Sequence, residues 1–286
     1  MTPSNRRRGV HQFLAASIFA LTLGAAQAQN GQASTTQVES GATTYEPEVG
    51  QFGKDVVWVP TAESLVDQML RMAAITPQDY LVDLGSGDGR TVITAAQRGT
   101  RAHGIEFNPD LVKLSRQAAR DAGVADKATF AEGDIFESDF SKATVVTLFL
   151  LPQLNLRLRP TLLDMKPGTR VISNSFDMGE WEPDDAVNGG SDCVSFCSAY
   201  KWIVPAKVQG TWDLSDKASL TLSQTFQKLQ GHLVMNGKRH AISDAAMQGT
   251  RIAFAANGRQ YTGEVDGNRM SGRDGRGNAW TATRKK

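Results

Sequence analysis

The chain of 286 residues has few of the side chains that most often bind metals. It contains two cysteines and four histidines, and the histidines are scattered along the chain. This distribution offers no ligand set for a zinc or iron site. We therefore expect no metal centre.

Long apolar segments are also lacking. The main apolar run, residues 13–25, is shorter than the ~20 residues of a membrane-spanning helix. It follows three arginines and precedes a small-x-small cleavage site at residues 26–28, as in a secretory signal peptide. We predict that residues 1–28 are removed and that the protein is exported to the periplasm without a membrane anchor. The Sec route is favoured over the twin-arginine route because His11 interrupts the twin-arginine pattern.

Neither sign of charge dominates, since the formal net charge is +1 at pH 7. The charge is unevenly spread: residues 29–204 hold 15 Lys and Arg against 24 Asp and Glu, whereas residues 205–286 hold 13 against 6. This split indicates two modules, or two faces that attract each other. We predict a flexible linker at 29–44, one domain at 45–205 and a second at 206–286.

From residue 60 the pattern alternates between short apolar strands and helices. Thr61 is predicted to cap the first helix. Buried strands that alternate with helices are typical of a parallel sheet covered on both faces. We predict a Rossmann-like, doubly wound α/β sheet. Its expected helices are 62–74, 90–99, 109–123 and 152–165, and its expected strands are 80–84, 101–107, 128–133, 143–150 and 169–175, with a last, antiparallel strand at 193–205.

Both cysteines, Cys193 and Cys197, fall in that last predicted strand. Residues four apart on a strand lie ~13 Å from each other, which is too far for a disulfide. An exported protein meets oxidising conditions, but the strand geometry favours two buried thiols.

After Pro205 the chain changes to strand-like segments separated by Asn-Gly and Asp-Gly pairs, which are strong hairpin signals. We predict a small antiparallel all-β domain of five to seven strands, a meander or an open barrel. Trp212, Tyr261 and Trp280 are expected to fill its core, with contact to an anionic surface or a glycan as the alternative. The paired turn residues are Asn236-Gly237, Asn257-Gly258, Asp266-Gly267 and Asp274-Gly275.

The segment LVDLGSGDGR, residues 81–90, places a glycine-rich turn between a buried strand and a helix. Glycine allows a sharp turn and close approach of a ligand to the backbone, and a helix N-terminus attracts anionic groups. Such turns lie at the carboxyl edge of the sheet, where open α/β folds bind ligands. The spacing is neither the dinucleotide motif nor a P-loop. The candidate binding residues in this turn are Asp83, Gly85, Ser86, Gly87, Asp88 and Gly89.

Two further acids follow neighbouring predicted strands. Glu106 ends the second strand, and an acid there accepts hydrogen bonds from both hydroxyls of a ribose in dinucleotide folds. Asn108 lies two residues further on. Asp134 ends the third strand, where it is placed to accept from an adenine amino group, with Ile135 beside the ring. These positions favour a site for an adenosyl group.

With these motifs the chain resembles the class I S-adenosylmethionine (SAM)-dependent methyltransferases. It is most similar to the seven-strand protein lysine methyltransferases, which include archaeal broad-specificity enzymes and the mitochondrial enzyme that acts on the c-subunit of ATP synthase. The segments that carry this resemblance over residues 57–204 are WVPTAESLVDQML, LVDLGSGDGR, GIEFNPDLV and ATVVTLFLLPQLNLRLRPTLLDMKPGTRVIS. The first 28 residues and residues 205–286 fall outside it.

The resemblance implies SAM as the cofactor and lysine as the acceptor. Asp83 and the glycine turn would face the methionine part of SAM, and Pro60 and Thr61 would close that end. The acceptor channel would be lined by Leu150, Leu151 and Pro152. An apolar channel lowers the pKa of a lysine amine. No catalytic base is predicted.

Two alternatives stay open. One is a methyltransferase that acts on a small-molecule amine. The other is a non-catalytic, exported module that has kept the methyltransferase fold. We expect a protein or small amine as the partner, no nucleic acid, and contact of the basic β-domain with the cell envelope.

Overall fold

A computed structural model describes residues 45–215 and 217–285 of the chain. The predicted signal peptide, residues 1–28, and the predicted linker, residues 29–44, lie outside the described residues. No helix in the described part of the chain is both long and apolar enough to cross a membrane.

The first part of the structure is a seven-stranded sheet flanked by helices. Its strand order is β3-β2-β1-β4-β5-β7-β6; β1 to β5 run parallel, and β7 is antiparallel to both β5 and β6. The helices are α1 (Glu63–Met72), α2 (Arg90–Gln97), α3 (Pro109–Asp121) and α4 (Pro152–Leu163). The strands are β1 (Tyr80–Leu84), β2 (Arg101–Glu106), β3 (Ala128–Glu132), β4 (Val145–Leu148), β5 (Arg170–Asn174), β6 (Asp185–Asn188) and β7 (Ser198–Ile203).

Helices cover both faces of this sheet. Leu81 on β1 packs in one core with residues of α1, α2 and α3, whereas its neighbour Val82 packs in a second core with residues of α4. Successive side chains of a strand point to opposite faces, so two neighbouring apolar residues supply both cores. The predicted doubly wound α/β sheet is confirmed.

The start of α1 differs from the prediction. Its N-cap is Ala62, without a side-chain cap, and the buried Thr61 hydroxyl instead accepts a hydrogen bond from Asn174 Nδ2 at 3.0 Å. The prediction that Thr61 caps α1 is therefore wrong, because a long-range contact to the end of β5 uses that hydroxyl.

Residues 193–197 are also not part of a strand. Strand β7 begins only at Ser198, and the preceding loop brings the Cα atoms of Cys193 and Cys197 to 5.6 Å, where the two residues form a disulfide. The expectation of two buried thiols is wrong, since the loop folds back where an extended strand would hold the cysteines apart.

The second part is an antiparallel sheet of nine strands. They are β8 (Gly210–Ser215), β9 (Ala218–Thr225), β10 (Lys228–Met235), β11 (Lys238–Ala241), β12 (Ser243–Gln248), β13 (Arg251–Ala256), β14 (Arg259–Asp266), β15 (Arg269–Asp274) and β16 (Ala279–Arg284). Their order is β11-β10-β12-β13-β14-β15-β16-β8-β9, and β10 also pairs with β9, so the sheet closes on itself.

The predicted all-β module is confirmed, but it has more strands than the five to seven expected. The strand-like segment 220–235 is divided at Phe226, a non-glycine residue with a φ of +54°, into the hairpin of β9 and β10. This turn has no Asn-Gly or Asp-Gly pair. The core of this sheet contains Trp212 and Tyr261, with Trp280 partly buried beside them.

Candidate active site

A cavity of about 440 Å³ opens at the carboxyl ends of the parallel strands. Residues that follow β1, β2 and β3 line one side of it, and residues that follow β4 and β5 line the other. Because β1 lies between β2 and β4 in the sheet, the cavity runs across the strand tips from β3 to β5. The segment 51–61 covers it.

The glycine-rich turn forms the floor of this cavity. Gly85, Gly87 and Gly89 have φ values of +78°, +53° and +84°, a region that L-residues rarely adopt. The N–H groups of Gly85 and Ser86 donate to the carbonyl of Ile105 at 2.9 and 3.1 Å, which ties the turn to the end of β2. A Cβ on Gly87 would lie 2.7 Å from Trp58 Nε1. A Cβ on Gly89 would lie 2.7 Å from Phe130, whereas one on Gly85 would come no closer than 3.3 Å to Leu150, so the turn is most crowded at Gly87 and Gly89.

Glu106 lies at the end of β2 and holds the turn in place. Its Oε2 accepts from the N–H of Gly87 at 2.9 Å, and its Oε1 accepts from the N–H of Asn108 at 2.9 Å. A carboxylate has about four acceptor positions, so each oxygen keeps one for a ligand. The pair of oxygens at the cavity wall fits the two hydroxyls of a ribose. The Asn108 side chain is used locally, as it caps α3 by accepting from the N–H of Asp110.

Asp83, in β1, is a buried acid, and its Oδ1 accepts a hydrogen bond from the Thr147 hydroxyl at 2.6 Å. Burial raises the pKa of Asp83 to about 7; Thr147 opposes this shift, and the charges of Glu106 and Asp88 add to it. A positive group placed in the cavity would favour the ionised form.

Asp134 faces the cavity after β3. Its Oδ1 accepts from the N–H of Phe136 at 2.9 Å, and its Oδ2 forms an ion pair with Lys54. The hydrogen bond from Lys54 holds the pKa of Asp134 below its ordinary value. Lys54 also lies over the ring of Phe107, at 4.9 Å from its centroid. Each oxygen of Asp134 therefore keeps an acceptor position, and a ligand amino group that donates to Asp134 would share the carboxylate with Lys54.

The remaining predicted residues divide into two groups. Asp88 lines the cavity and holds Arg90, whose Nη1 donates to the carbonyl of Thr61 at 2.8 Å. Two predicted residues lie outside the lining: Gly89 is the N-cap of α2 and packs against Phe130, and Pro152 is the exposed first residue of α4. The other predicted residues in the lining are Pro60, Thr61, Asp83, Gly85, Ser86, Gly87, Glu106, Asn108, Asp134, Ile135, Leu150 and Leu151.

An adenosyl sulfonium fits this set of donors and acceptors. The Ser86 hydroxyl is buried in the lining and has no hydrogen-bond partner in the described part of the chain. An unpaired buried polar atom costs free energy unless a ligand or water satisfies it. Together with the acceptor positions of Glu106 and Asp134 and the backbone of the glycine turn, it provides polar contacts along one side of the cavity.

The opposite side of the cavity is apolar. It is lined by Leu150 and Leu151, after β4, and by three phenylalanines that motif reasoning missed: Phe149, Phe176 and Phe196. Phe149 directly precedes the predicted Leu150 and Leu151, so the sequence indicates that it lies close to the site. Phe176 reaches the site because β5 lies beside β4, and Phe196 because the disulfide loop before β7 brings its ring against Phe149. Nothing local in the sequence indicates either contact.

The covering segment was also missed, apart from Pro60 and Thr61. Phe52 and Val57 form an isolated antiparallel bridge, and the N–H of Trp58 donates to the carbonyl of Gln51 at 2.9 Å. This short hairpin brings Lys54 and Trp58 to the lining. No group of His, Cys, Asp and Glu side chains in residues 45–215 and 217–285 has the geometry of a metal site.

Most residues that form this site lie in a part of the chain that is similar to known methyltransferases. The model of the ANTKMT methyltransferase domain family matches residues 83–185. A protein-lysine N-methyltransferase of Saccharolobus islandicus (strain REY15A) is 41% identical over 135 residues, which cover 46% of this chain and 84% of that protein. The adenine nucleotide translocase lysine N-methyltransferase of Mus musculus is 38% identical over 141 residues, 49% of this chain and 61% of that protein. The ATP synthase c-subunit lysine N-methyltransferase of Mus musculus is 39% identical over 138 residues, 48% of this chain and 56% of that protein.

Among solved structures, an RNA methyltransferase from Salinibacter ruber in complex with S-adenosyl-L-homocysteine (SAH) is 49% identical to this chain. The match covers 52% of this chain and 96% of that one, with a TM-score of 0.49.

Proposed function

This chain belongs to the family of protein-lysine N-methyltransferases, and from that premise we propose that it transfers the methyl group of SAM to the side-chain amine of a lysine in a protein. The observation that carries the proposal is one cavity with two unlike sides. Polar groups that suit an adenosyl donor follow β1 to β3, and apolar groups that suit a lysine stem follow β4 and β5.

Each acid has a separate part in holding the donor. Glu106 would accept from the ribose hydroxyls, and Asp134 would accept from the adenine amino group beside its ion pair with Lys54, with Ile135 beside the ring. Asp83 would attract the positive charges of the methionine part. When bound, SAM supplies a methyl group on a sulfonium, which a neutral amine attacks.

The apolar side prepares the acceptor. A lysine amine has an ordinary pKa of ~10.4 and must lose its proton before it can attack a methyl group. Burial among Leu150, Leu151 and the phenylalanines lowers that pKa, because desolvation penalises the charged form. The acids that line the cavity in the described part of the chain lie on β1 to β3, in the loops after them or on the covering segment, and not on the apolar side. Because the apolar side offers no base among the described residues, the amine would lose its proton to water before it enters. Positioning and exclusion of water would then carry most of the rate.

The test uses the full chain, methyl-labelled SAM and a protein extract together with poly-L-lysine as acceptors. We expect label on the Nε atom of lysine, identified by mass spectrometry after hydrolysis, and at least a tenfold loss in Glu106→Gln. The matched control is Glu132→Gln, because Glu132 lies beside Glu106 in the register of β2 and β3 but is exposed and outside the cavity. Label on small amines alone would favour the small-molecule alternative, and a wild type that binds neither SAM nor SAH would favour the non-catalytic module.

We further propose that the protein works outside the cytoplasm. Support comes from the signal-like residues 1–28 and from the disulfide between Cys193 and Cys197, since disulfides persist in oxidising compartments. Mass spectrometry of the protein from its native compartment should find the chain starting after Ala28 and both cysteines oxidised. An intact N-terminus with free thiols would contradict export.

A further inference from the structure

The apolar side of the cavity contains a cluster of three phenylalanines. The ring centroids of Phe149 and Phe176 are 6.1 Å apart, those of Phe149 and Phe196 are 5.3 Å apart, and those of Phe176 and Phe196 are 5.9 Å apart. All three rings line the same cavity. They form a continuous aromatic wall. Phe196, which is 42% exposed, is the most exposed of the three, since Phe149 and Phe176 are partly buried.

Phe196 differs from the other two in its position relative to the family domain. Phe149 and Phe176 lie within residues 83–185, which the family model matches, whereas Phe196 lies beyond them. It occupies the loop closed by the disulfide between Cys193 and Cys197. The aromatic wall therefore joins two residues of the family domain to one residue of a loop outside the matched range.

The backbone of Phe196 is held in an unfavourable conformation. Its φ is +56°, a left-handed value that costs a bulky residue free energy and persists only where the surroundings impose it. The adjacent disulfide is one such constraint. The loop is also fixed to the start of α1, because the N–H of Gly190 donates to Ser64 Oγ at 2.8 Å and Asp192 Oδ2 accepts from the N–H of Ser64 at 3.2 Å.

We propose that Phe196, positioned by the disulfide between Cys193 and Cys197, determines acceptor specificity by holding an alkylammonium group against the aromatic wall. This inference rests on the proposed methyl transfer to lysine and adds the chemical class that the acceptor side selects. The ligand class is a lysine side chain that already carries methyl groups, so the wall favours repeated methylation over release after one transfer.

The physical reason is the charge that moves during transfer. A positive charge leaves the sulfur and arrives at the amine nitrogen, and aromatic faces attract such cations within about 6 Å of the ring centroid. The attraction of a phenyl face for an ammonium is weaker than that of a carboxylate, so a desolvated amine beside the wall can still lose its proton before transfer. A methylated ammonium is weakly hydrated and gains more from the wall than a primary ammonium does.

The test measures binding to the full chain saturated with SAH, with Nα-acetyl-Nε-trimethyl-lysine amide as the probe. A matched probe has a tert-butyl group in place of the trimethylammonium and is uncharged. We expect the wild type to prefer the charged probe. Phe196→Ala should weaken that probe about tenfold, equivalent to about 1.4 kcal/mol, while the affinity for SAH stays unchanged and Phe196→Tyr restores binding.

Two further variants separate a role in binding from a role in folding. Phe196→Gly relieves the left-handed backbone, so it should unfold at the same or a higher temperature and still lose the probe. The double variant Cys193→Ser, Cys197→Ser keeps the ring but frees the loop, and we expect a several-fold loss of probe affinity with a normal affinity for SAH.

A wild type that binds the two probes equally, or binds the charged probe no more tightly than Phe196→Ala, would overturn the inference. Failure of the wild type to bind SAH would instead overturn the proposed function, so the two failures are distinguishable. Where an acceptor is methylated, Phe196→Ala should also shift its products from trimethyl-lysine towards monomethyl-lysine.

Discussion

The two sheets of the molecule bury different kinds of side chain. In the seven-stranded sheet and its connections, buried polar residues are frequent, and they include Asp83, Thr147 and Asn174 near the ends of parallel strands. In residues 206–215 and 217–285, by contrast, no Ser, Thr, Asn, Gln or charged residue is fully buried. Buried polar groups are costly unless they are hydrogen-bonded, so their concentration in one sheet indicates where the chemistry takes place.

The nine-stranded sheet contacts the first part away from the cavity. The ring of Phe226, at the turn between β9 and β10, stacks on Trp181 with a centroid distance of 6.2 Å. Gln227 Nε2 donates to the carbonyl of Glu182 at 2.7 Å. No residue from 206 onwards lines the cavity in the described part of the chain. The comparison therefore predicts that changes in the second sheet alter stability and leave ligand binding intact.

The largest effect is expected for Trp212→Ala. The indole is fully buried, and its Nε1 donates to the carbonyl of Val208 at 2.8 Å. Loss of a buried tryptophan should lower the free energy of unfolding by about 3–5 kcal/mol, measured by denaturant titration. Calorimetric affinity for SAH, measured well below the melting temperature, should not change. A parallel loss of affinity would show that the second sheet takes part in the site.

Glu106→Gln is expected to have the next largest effect, and here affinity for SAH should change more than stability. An amide nitrogen at one Oε position cannot accept from the N–H of Gly87 or Asn108 and meets a donor there. We expect about a hundredfold loss of affinity for SAH, equivalent to about 2.7 kcal/mol, with a smaller change in stability. Glu132→Gln should match the wild type, and equal losses in both variants would contradict the role of Glu106.

Gly87→Ala should weaken SAH binding about tenfold because its Cβ displaces Trp58 from the cavity wall. The control is Gly123→Ala, since Gly123 also has a positive φ, +68°, but nothing lies within 4 Å of the added Cβ. Both variants pay the cost of the left-handed backbone, about 1–2 kcal/mol. Calorimetry with each variant measures the difference, and equal affinities would mean that Trp58 adjusts freely.

The last prediction concerns pH, and its expected size is similar to that for Gly87→Ala. The pKa of Asp83 is about 7 in the folded protein and 3.8 ordinarily, so the folded state binds an additional proton between these values and loses stability as pH rises from about 4 to 7. If the ionised form of Asp83 is the one that binds the ligand, affinity for SAH should rise roughly tenfold between pH 6 and pH 8. Titrations at these pH values should show no such rise in Asp83→Asn; a rise of the same size there would assign the proton to another group.

Local sequence signals were sufficient for most of the parallel sheet. The mostly apolar strand at 80–84, the glycine turn and the acids at or near the strand ends each follow from short-range rules, and these acids lie in one cavity. Helix ends were predicted too late, as for α3, which ends at Asp121. Strand β6, Asp185–Asn188, was missed because only one of its four residues is even partly buried.

The sequence by itself determined the alternation of strands and helices, the glycine turn, and the position of Glu106 at the end of β2 and of Asp134 just after β3, because backbone sterics and hydrophobic periodicity act over a few residues. Tertiary structure decided the disulfide, the ion pair of Lys54 with Asp134 and the arrival of Phe196 at the acceptor side. Each of these joins residues through a folded loop or across the molecule, and their distances depend on how the strands are ordered in the sheet.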